Sequence, residues 1–247
     1  DFGGGSGSGG GAQDTALTES GQCYYTSLVF NIIKRPLKKT DYKTANLKKA
    51  AKFVQATIKL EDFLKKGPQD WFDNDIYGRT ANLIYQKYKT KFKGPVYCHR
   101  GSAFMNKVYA AKKSVMKTDK FSAPGSFSDD KWNPGDIWLS TLPPTAEPFG
   151  KVQTWAELNQ MVLESAGETN KTRGTATTLG VSLKKLGVSG KVDSFNSSKR
   201  KHNVNVKFKN FTFGKNGDFF SSIDVYIRFD VAEVQLRAFN STKAWQG

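Results

Sequence analysis

The sequence is poor in the residues that build covalent or metal-held frameworks. Its 247 positions include two cysteines, Cys23 and Cys98, and two histidines, His99 and His202. Two cysteines cannot form the several bridges of a small secreted scaffold, and so few ligands give no expectation of a Cys/His zinc cage. A reducing compartment is expected. No apolar run approaches the roughly 18 residues of a membrane-spanning helix, so no membrane partner is expected. No segment repeats at a period of about 20–50 residues, which argues against a solenoid or propeller. Acids are also scarce: 22 Asp and Glu stand against 38 Lys and Arg, a net charge of +16.

What is present belongs to a folded chain. At 38% hydrophobic and 13% aromatic the composition supports a real core, and the length fits one large or two modest domains. The charge is uneven: residues 1–125 carry 22 basic and 10 acidic side chains, residues 126–247 carry 16 and 12. Such a surplus attracts polyanions, because neutralising phosphates releases condensed counterions. A lysine-rich solubilising face is the competing reading. Arginine forks for reading bases are few, so non-specific contact with the DNA backbone is favoured over base readout. RNA stays open, although no aromatic RRM strand is present.

The chain begins at Asp1 and enters GGGSGSGGG, so residues 1–13 read as a flexible arm. That arm is no phosphate loop, since no Gly-Lys-Ser/Thr follows. Residues 14–120 read as a basic helical region. Helices are expected from Asp14 to about Phe30, with Thr15 or Thr18 as cap, and over Tyr42–Lys66, with Leu47, Ala51, Val54 and Ile58 on one stripe. Two more are expected over Arg79–Phe92 and Ser102–Met116. A Ser/Pro/Gly/Asp-rich loop covers Phe121–Asn133. Residues 121–247 then read as a mixed-sheet core, with strands at Ile137–Ser140 and Gly180–Lys185 and a helix at Trp155–Ser165. Three alternating stretches follow at Asn203–Phe213, Phe219–Phe229 and Val231–Phe239. The expected class is α/β or α+β with a mixed sheet.

The densest chemical cluster is Lys131-Trp-Asn-Pro-Gly-Asp-Ile-Trp138. Its Pro-Gly turn delivers Asp136 at the mouth of an apolar strand, and Lys184 and Lys185 follow on the next short strand. An acid on one strand and a lysine on the next is the skeleton of a divalent-metal phosphodiesterase site. The carboxylate would hold Mg²⁺ or Mn²⁺, with the Leu183 carbonyl as a further ligand, and lysine would stabilise the charged phosphorus. An Asx-type turn is the competing role for Asp136. Trp132 and Trp138 are expected as core anchors in preference to base-stacking platforms. Gln235 and Arg237 share one face of the last strand and are candidates to touch a phosphate or a partner. His99-Arg100-Gly101-Ser102 precedes a helix; its N–H groups hold an anion in one reading, and Ser102 is only an N-cap in the other. His99 has no Ser or Cys nucleophile to complete a hydrolase triad, and Cys98 is expected as a buried thiol.

Pro134-Gly135-Asp136 and Ser182-Leu183-Lys184 resemble the PD-(D/E)XK nuclease superfamily, whose αβββαβ core carries an acid, a spacer and then acid-x-Lys. The resemblance implies Asp136 as metal ligand, Lys184 as catalytic lysine, Glu19 as the helix acid and Mg²⁺ or Mn²⁺ as cofactor. Arg100, Lys185, Gln235 and Arg237 are then candidates for nucleic-acid contact. Ser182 stands where the superfamily has a carboxylate, so either Glu157 or Glu164 substitutes or the site is inactive. The phrases TALTESGQCYY, HRGSAF, KWNPGDIW, GVSLKK and VQLRAFNSTKAWQG are similar to proteins of tailed bacteriophages, a resemblance that brings no activity with it. It implies a virion or the cytoplasm of an infected cell, and a chain trimmed by a maturation protease. The alternative to a nuclease is then a non-catalytic virion component that reuses the fold.

Overall fold

A computed structural model describes residues 10–119, 132, 135–169, 171–172, 174–186, 190–192, 207–214, 224–230, 232–238 and 245–246. The chain divides into two compact units, Asp1–Ser198 and Lys199–Gly247. The fold class is mixed α/β, as the sequence implies.

The first unit is built around helix α1, Gly10–Ser27, which widens into a π-type turn over Leu28–Ile33. That turn closes at Lys34, whose left-handed backbone (φ 57°) lets its N–H return to the Val29 carbonyl. Every residue from Ser20 to Phe30 is buried, so this stretch is a core element with no solvent face. Its polar side chains must therefore find partners inside. Ser27 donates to the Ala50 carbonyl at 2.7 Å, Gln22 to the Tyr77 carbonyl at 3.2 Å, and Tyr24 to the Ile58 carbonyl at 2.9 Å. Asn31 pairs both backbone groups of Val96, at 2.8 Å each.

Around it lie α2 (Thr44–Ala51), β1 (Val54–Ala56), α3 (Leu60–Lys66), α4 (Gln69–Asp73) and α5 (Ile76–Tyr88). Next come β2 (Tyr97–Arg100), α6 (Ala103–Thr118), β3 (Ile137–Ser140), α7 (Trp155–Ser165) and β4 (Thr178–Val181). One sheet has the order β1-β2-β3-β4, with β1 parallel to β2 and the other pairs antiparallel. Cys98, Ile137 and Leu139 face the α1 side; Trp138 packs with Phe104, Val108, Trp155 and Leu158 of α6 and α7 on the other. Trp138 is thus a core anchor, and half-buried Trp132 packs against the same cluster.

Two expectations need correction. The helix over Tyr42–Lys66 is interrupted, because Val54–Ala56 pairs with Cys98–Arg100 as an edge strand. The β-branched and aromatic residues between Phe53 and Ile58 favour extended backbone once a neighbouring strand is present. The division at residue 120 also fails to separate domains: β1 and β2 come from the basic helical region and share a sheet with β3 and β4. β2 itself followed Gly94-Pro95 in a run too short to stand out. The helix Trp155–Ser165 has the expected bounds, closed by a capping box of Thr154 and Glu157.

The second unit is one antiparallel sheet, β5 (Phe208–Phe213), β6 (Asp224–Phe229), β7 (Glu233–Ala238) and β8 (Trp245–Gln246). The expected starts at Asn203 and Phe219 lie outside the described residues, as do most of the loop 121–133 and residues 1–9 of the expected arm. Residues 10–13 of that arm belong to α1 instead, so Thr15 and Thr18 lie inside the helix and do not cap it. Register places Ile227 between Phe211 and Val234, and Val225 between Phe213 and Leu236, so one face is apolar.

A methyl at Gly21 in α1 would lie 2.2 Å from Phe63 Cε2, and Phe63 is fully buried. Gly21→Ala is therefore expected to cost about 1–3 kcal/mol by overpacking. Urea unfolding checks this as a lower midpoint with unchanged slope.

Candidate functional site

Asp136 sits one residue before β3 and extends its ladder, donating its N–H to the Val181 carbonyl at 3.0 Å. The side chain turns back onto the segment after β4. Its Oδ2 accepts the Leu183 N–H at 2.5 Å and the Ser182 hydroxyl at 3.4 Å. Burial raises its pKa above the ordinary carboxylate value, against the pull of those two hydrogen bonds and of the Lys184 and Arg100 charges. Ser182 thus serves as a donor to the acid, in the position where the superfamily pattern has a second acid. The segment 182–186 has left the strand, so Lys184 and Lys185 are exposed on irregular backbone and do not alternate across a sheet.

Arg100 closes β2 and reaches α1, where its Nε donates to Glu19 Oε2. The pair is largely covered, with the Arg100 and Glu19 side chains 25% and 13% exposed. The register pairs His99 with Trp138, which brings Arg100 level with Ile137, one residue from Asp136. The Glu19–Arg100 pair and the Asp136–Ser182–Leu183 cluster thus lie at the same end of the sheet, near enough for the Arg100 and Lys184 charges to act on Asp136. Sequence reasoning selected Asp136, Glu19 and Lys184 but put Arg100 among nucleic-acid contacts. Its role as Glu19's partner was hidden because β2 was not legible as a strand.

The other candidates lie elsewhere. Lys185 makes an exposed ion pair with Asp70 at 2.7 Å, beside an open cleft of about 510 Å³ that Lys66 and Trp71 also line. Glu157 is engaged in the α7 capping box, and Glu164 accepts from Gln160 at 2.9 Å. Gln235 belongs to the second unit and donates to the Tyr226 hydroxyl at 3.4 Å. Arg237 pairs through its backbone with Asp224; its side chain lies outside the described residues. Ser102 accepts the Met105 N–H at 3.3 Å and is the N-cap of α6, after a turn in which Gly101 takes a positive φ of 61°. Cys23 and Cys98 are both buried free thiols, and burial raises the pKa of each.

A divalent ion needs several oxygen ligands held toward it. Here Glu19 is bound by Arg100, and Asp136 by Leu183 and Ser182. Among the described residues no three Asp, Glu, His or Cys side chains gather into a metal-holding group. The residues present do not fit Mg²⁺ or Mn²⁺, and the chemistry of this end is that of its own charges. No helix among the described residues is long and apolar enough to cross a membrane. Comparison with protein-family models, curated proteins and solved structures finds no match for the chain.

Next to the site, His99 is fully buried and stacks on Phe104, centroids 4.3 Å apart, and burial lowers its pKa to about 4. The unfolded state therefore binds its proton more tightly. Stability is expected to fall as pH drops from about 6.5 to about 4, by about 3 kcal/mol in total. Asp136 works in the opposite sense, its raised pKa adding stability as pH falls toward the ordinary carboxylate value. Asp41, held below that value by Arg35, loses its contribution only in stronger acid. Urea titrations across this range should show the decline in the wild type and a flattened profile in His99→Gln.

Proposed function

We propose that the chain binds nucleic acid through its phosphate backbone, without base readout, and that its acid–lysine end is a degenerate PD-(D/E)XK-type site. The observation that carries the degenerate-site reading is the engagement of both carboxylates: Asp136 accepts from Leu183 and Ser182, and Glu19 is held by Arg100. The order of elements supports the resemblance. Helix α1, strands β1, β2 and β3, helix α7 and strand β4 follow one another, with α2–α6 inserted between them. The parallel pairing of β1 with β2 requires a crossover at that point, which the inserted helices supply.

The binding half of the proposal rests on charge. The surplus of +16 is lysine-rich, and Lys184 and Lys185 project from one exposed segment near the lysine and tryptophan of the open cleft. Exposed lysines on irregular backbone suit phosphates at variable spacing and carry no base code. The resemblance to tailed-phage proteins implies the virion or the infected cell as the setting for such binding.

A second reading, a non-catalytic virion component, is favoured by the second unit. Phe208, Phe211 and Val234 stand 60%, 55% and 42% exposed on its sheet, an apolar surface that suits contact with another subunit. A fixed copy number in purified particles would favour this reading; trace amounts would count against it.

The test uses the whole chain with single-stranded and plasmid DNA, in Mg²⁺, Mn²⁺ or EDTA. Binding without cutting is expected in all three, with Asp136→Ala indistinguishable from wild type. Metal-dependent cutting lost in Asp136→Ala would establish an active nuclease instead. The logarithm of affinity should fall linearly with the logarithm of salt, and Lys184→Ala with Lys185→Ala should lower that slope by about 1–2.

A further inference from the structure

Resting on the reading that the chain binds nucleic acid, we propose that the apolar face of the second unit's sheet is a stacking platform for single-stranded DNA. Phe208 and Phe211 receive bases there, and Lys207 and Lys209 meet the phosphates.

Register makes the platform. Phe208 and Phe211 are three positions apart, an odd spacing that regular alternation would put on opposite faces. The β5–β6 ladder slips between Phe208 and Asn210, so Phe208 pairs with Phe229 and Phe211 with Ile227. Phe229 and Ile227 share a face of β6, and the bulge therefore turns Phe208 to the side of Phe211 and Phe213. The Phe208 and Phe229 rings meet edge to face with centroids 6.3 Å apart, and those of Phe211 and Phe213 do so at 5.6 Å. Val225, Val234 and Leu236 continue this face, whereas Asn210, Thr212, Tyr226, Arg228, Glu233 and Gln235 take the other.

Charge selects the occupant. Phe208 stands between two exposed lysines, Lys207 and Lys209, and both Phe208 and Phe211 are more than half exposed. The unit carries nine Lys and Arg against four Asp and Glu. Among its described acids, Glu233 is engaged by Arg228 at 2.6 Å, Asp230 accepts the Lys207 N–H at 3.0 Å, and Asp224 is buried. Lysine is depleted at protein–protein interfaces, whereas a single strand presents open base faces beside a charged backbone, which matches exposed rings flanked by lysines. A duplex keeps its base faces inside the stack and cannot use the rings. The apolar face offers no side-chain hydroxyl or amide to a 2′-OH, so it gains nothing from ribose.

The experiment measures binding of the whole chain to fluorescent oligo-dT, to a duplex of the same length and to oligo-rU, by anisotropy across a salt series. Phe208→Ala and Phe211→Ala are each expected to weaken oligo-dT binding about tenfold or more. Duplex binding and the salt slope should stay unchanged, because a ring is removed and no charge. Phe208→Tyr and Phe211→Tyr keep the ring and should bind as wild type, while Phe211→Leu, which keeps apolar area, should behave as the alanine variant. Lys207→Gln with Lys209→Gln should lower the salt slope by about 1. Oligo-dT binding that both alanine variants leave intact would overturn the inference and leave the nucleic-acid reading standing. An equal loss of duplex binding in those variants would also overturn it. Absence of binding to all three probes would sink the nucleic-acid reading itself. Self-association of the wild type that Phe211→Ala abolishes, with oligo-dT affinity unchanged, would give the face to a second copy of the chain. Oligo-rU held about tenfold tighter than oligo-dT would overturn the assignment to DNA.

Discussion

Burying helix α1 over the whole of Ser20–Phe30 is the constraint on which the first unit depends. A helix covered on all sides must satisfy its hydroxyls and amides with protein groups. Ser27, Tyr24, Asn31 and the amide nitrogen of Gln22 do so with Ala50, Ile58, Val96 and Tyr77, which belong to or flank α2, β1, β2 and α5. These bonds fix which elements surround the helix and at what height. Apolar burial of Leu28, Val29 and Phe63 supplies the driving force, about 1.5–3 kcal/mol for each such side chain, while the polar partners select one arrangement.

The same constraint creates the charge cluster. Glu19 is the residue just before the buried run, so it emerges where α1 meets the end of β2. A carboxylate at that boundary is too covered to be well hydrated and too close to the sheet to turn away. Arg100 meets it from β2, and Asp136 is satisfied by the segment after β4. The result is an end of the sheet at which both acids already hold protein partners, an arrangement that the residue types alone do not reveal.

Legibility followed the range of the forces involved. Helix α7, strand β3 and the N-cap Ser102 are written in local signals: a capping box, an apolar run bounded by a Pro-Gly turn, and a hydroxyl before a helical pattern. The strands of the second unit were visible by alternation in Val225, Ile227 and Phe229 against Tyr226 and Arg228. β1 was read as helix because Val54 and Ile58 fit a helical stripe, and its true partner, Cys98–Arg100, is more than 40 positions away. Parallel pairing leaves no turn signal to mark it. The association of Asp136 with Lys184 was legible through a resemblance, whereas the Glu19–Arg100 pair depended on β2 being a strand.

By itself, then, the sequence determined the α/β class, the positive charge, the buried Cys98 thiol and the candidate acids and lysines. These depend on composition, on short-range patterns and on residue chemistry. Only the tertiary structure decided that the basic N-terminal region supplies half of a sheet, and that Ser182 donates to Asp136. It alone decided that Arg100 spends its charge on Glu19. Those outcomes join residues from 39 to 81 positions apart, and partners at that separation are fixed by how elements pack and not by any pattern along the chain.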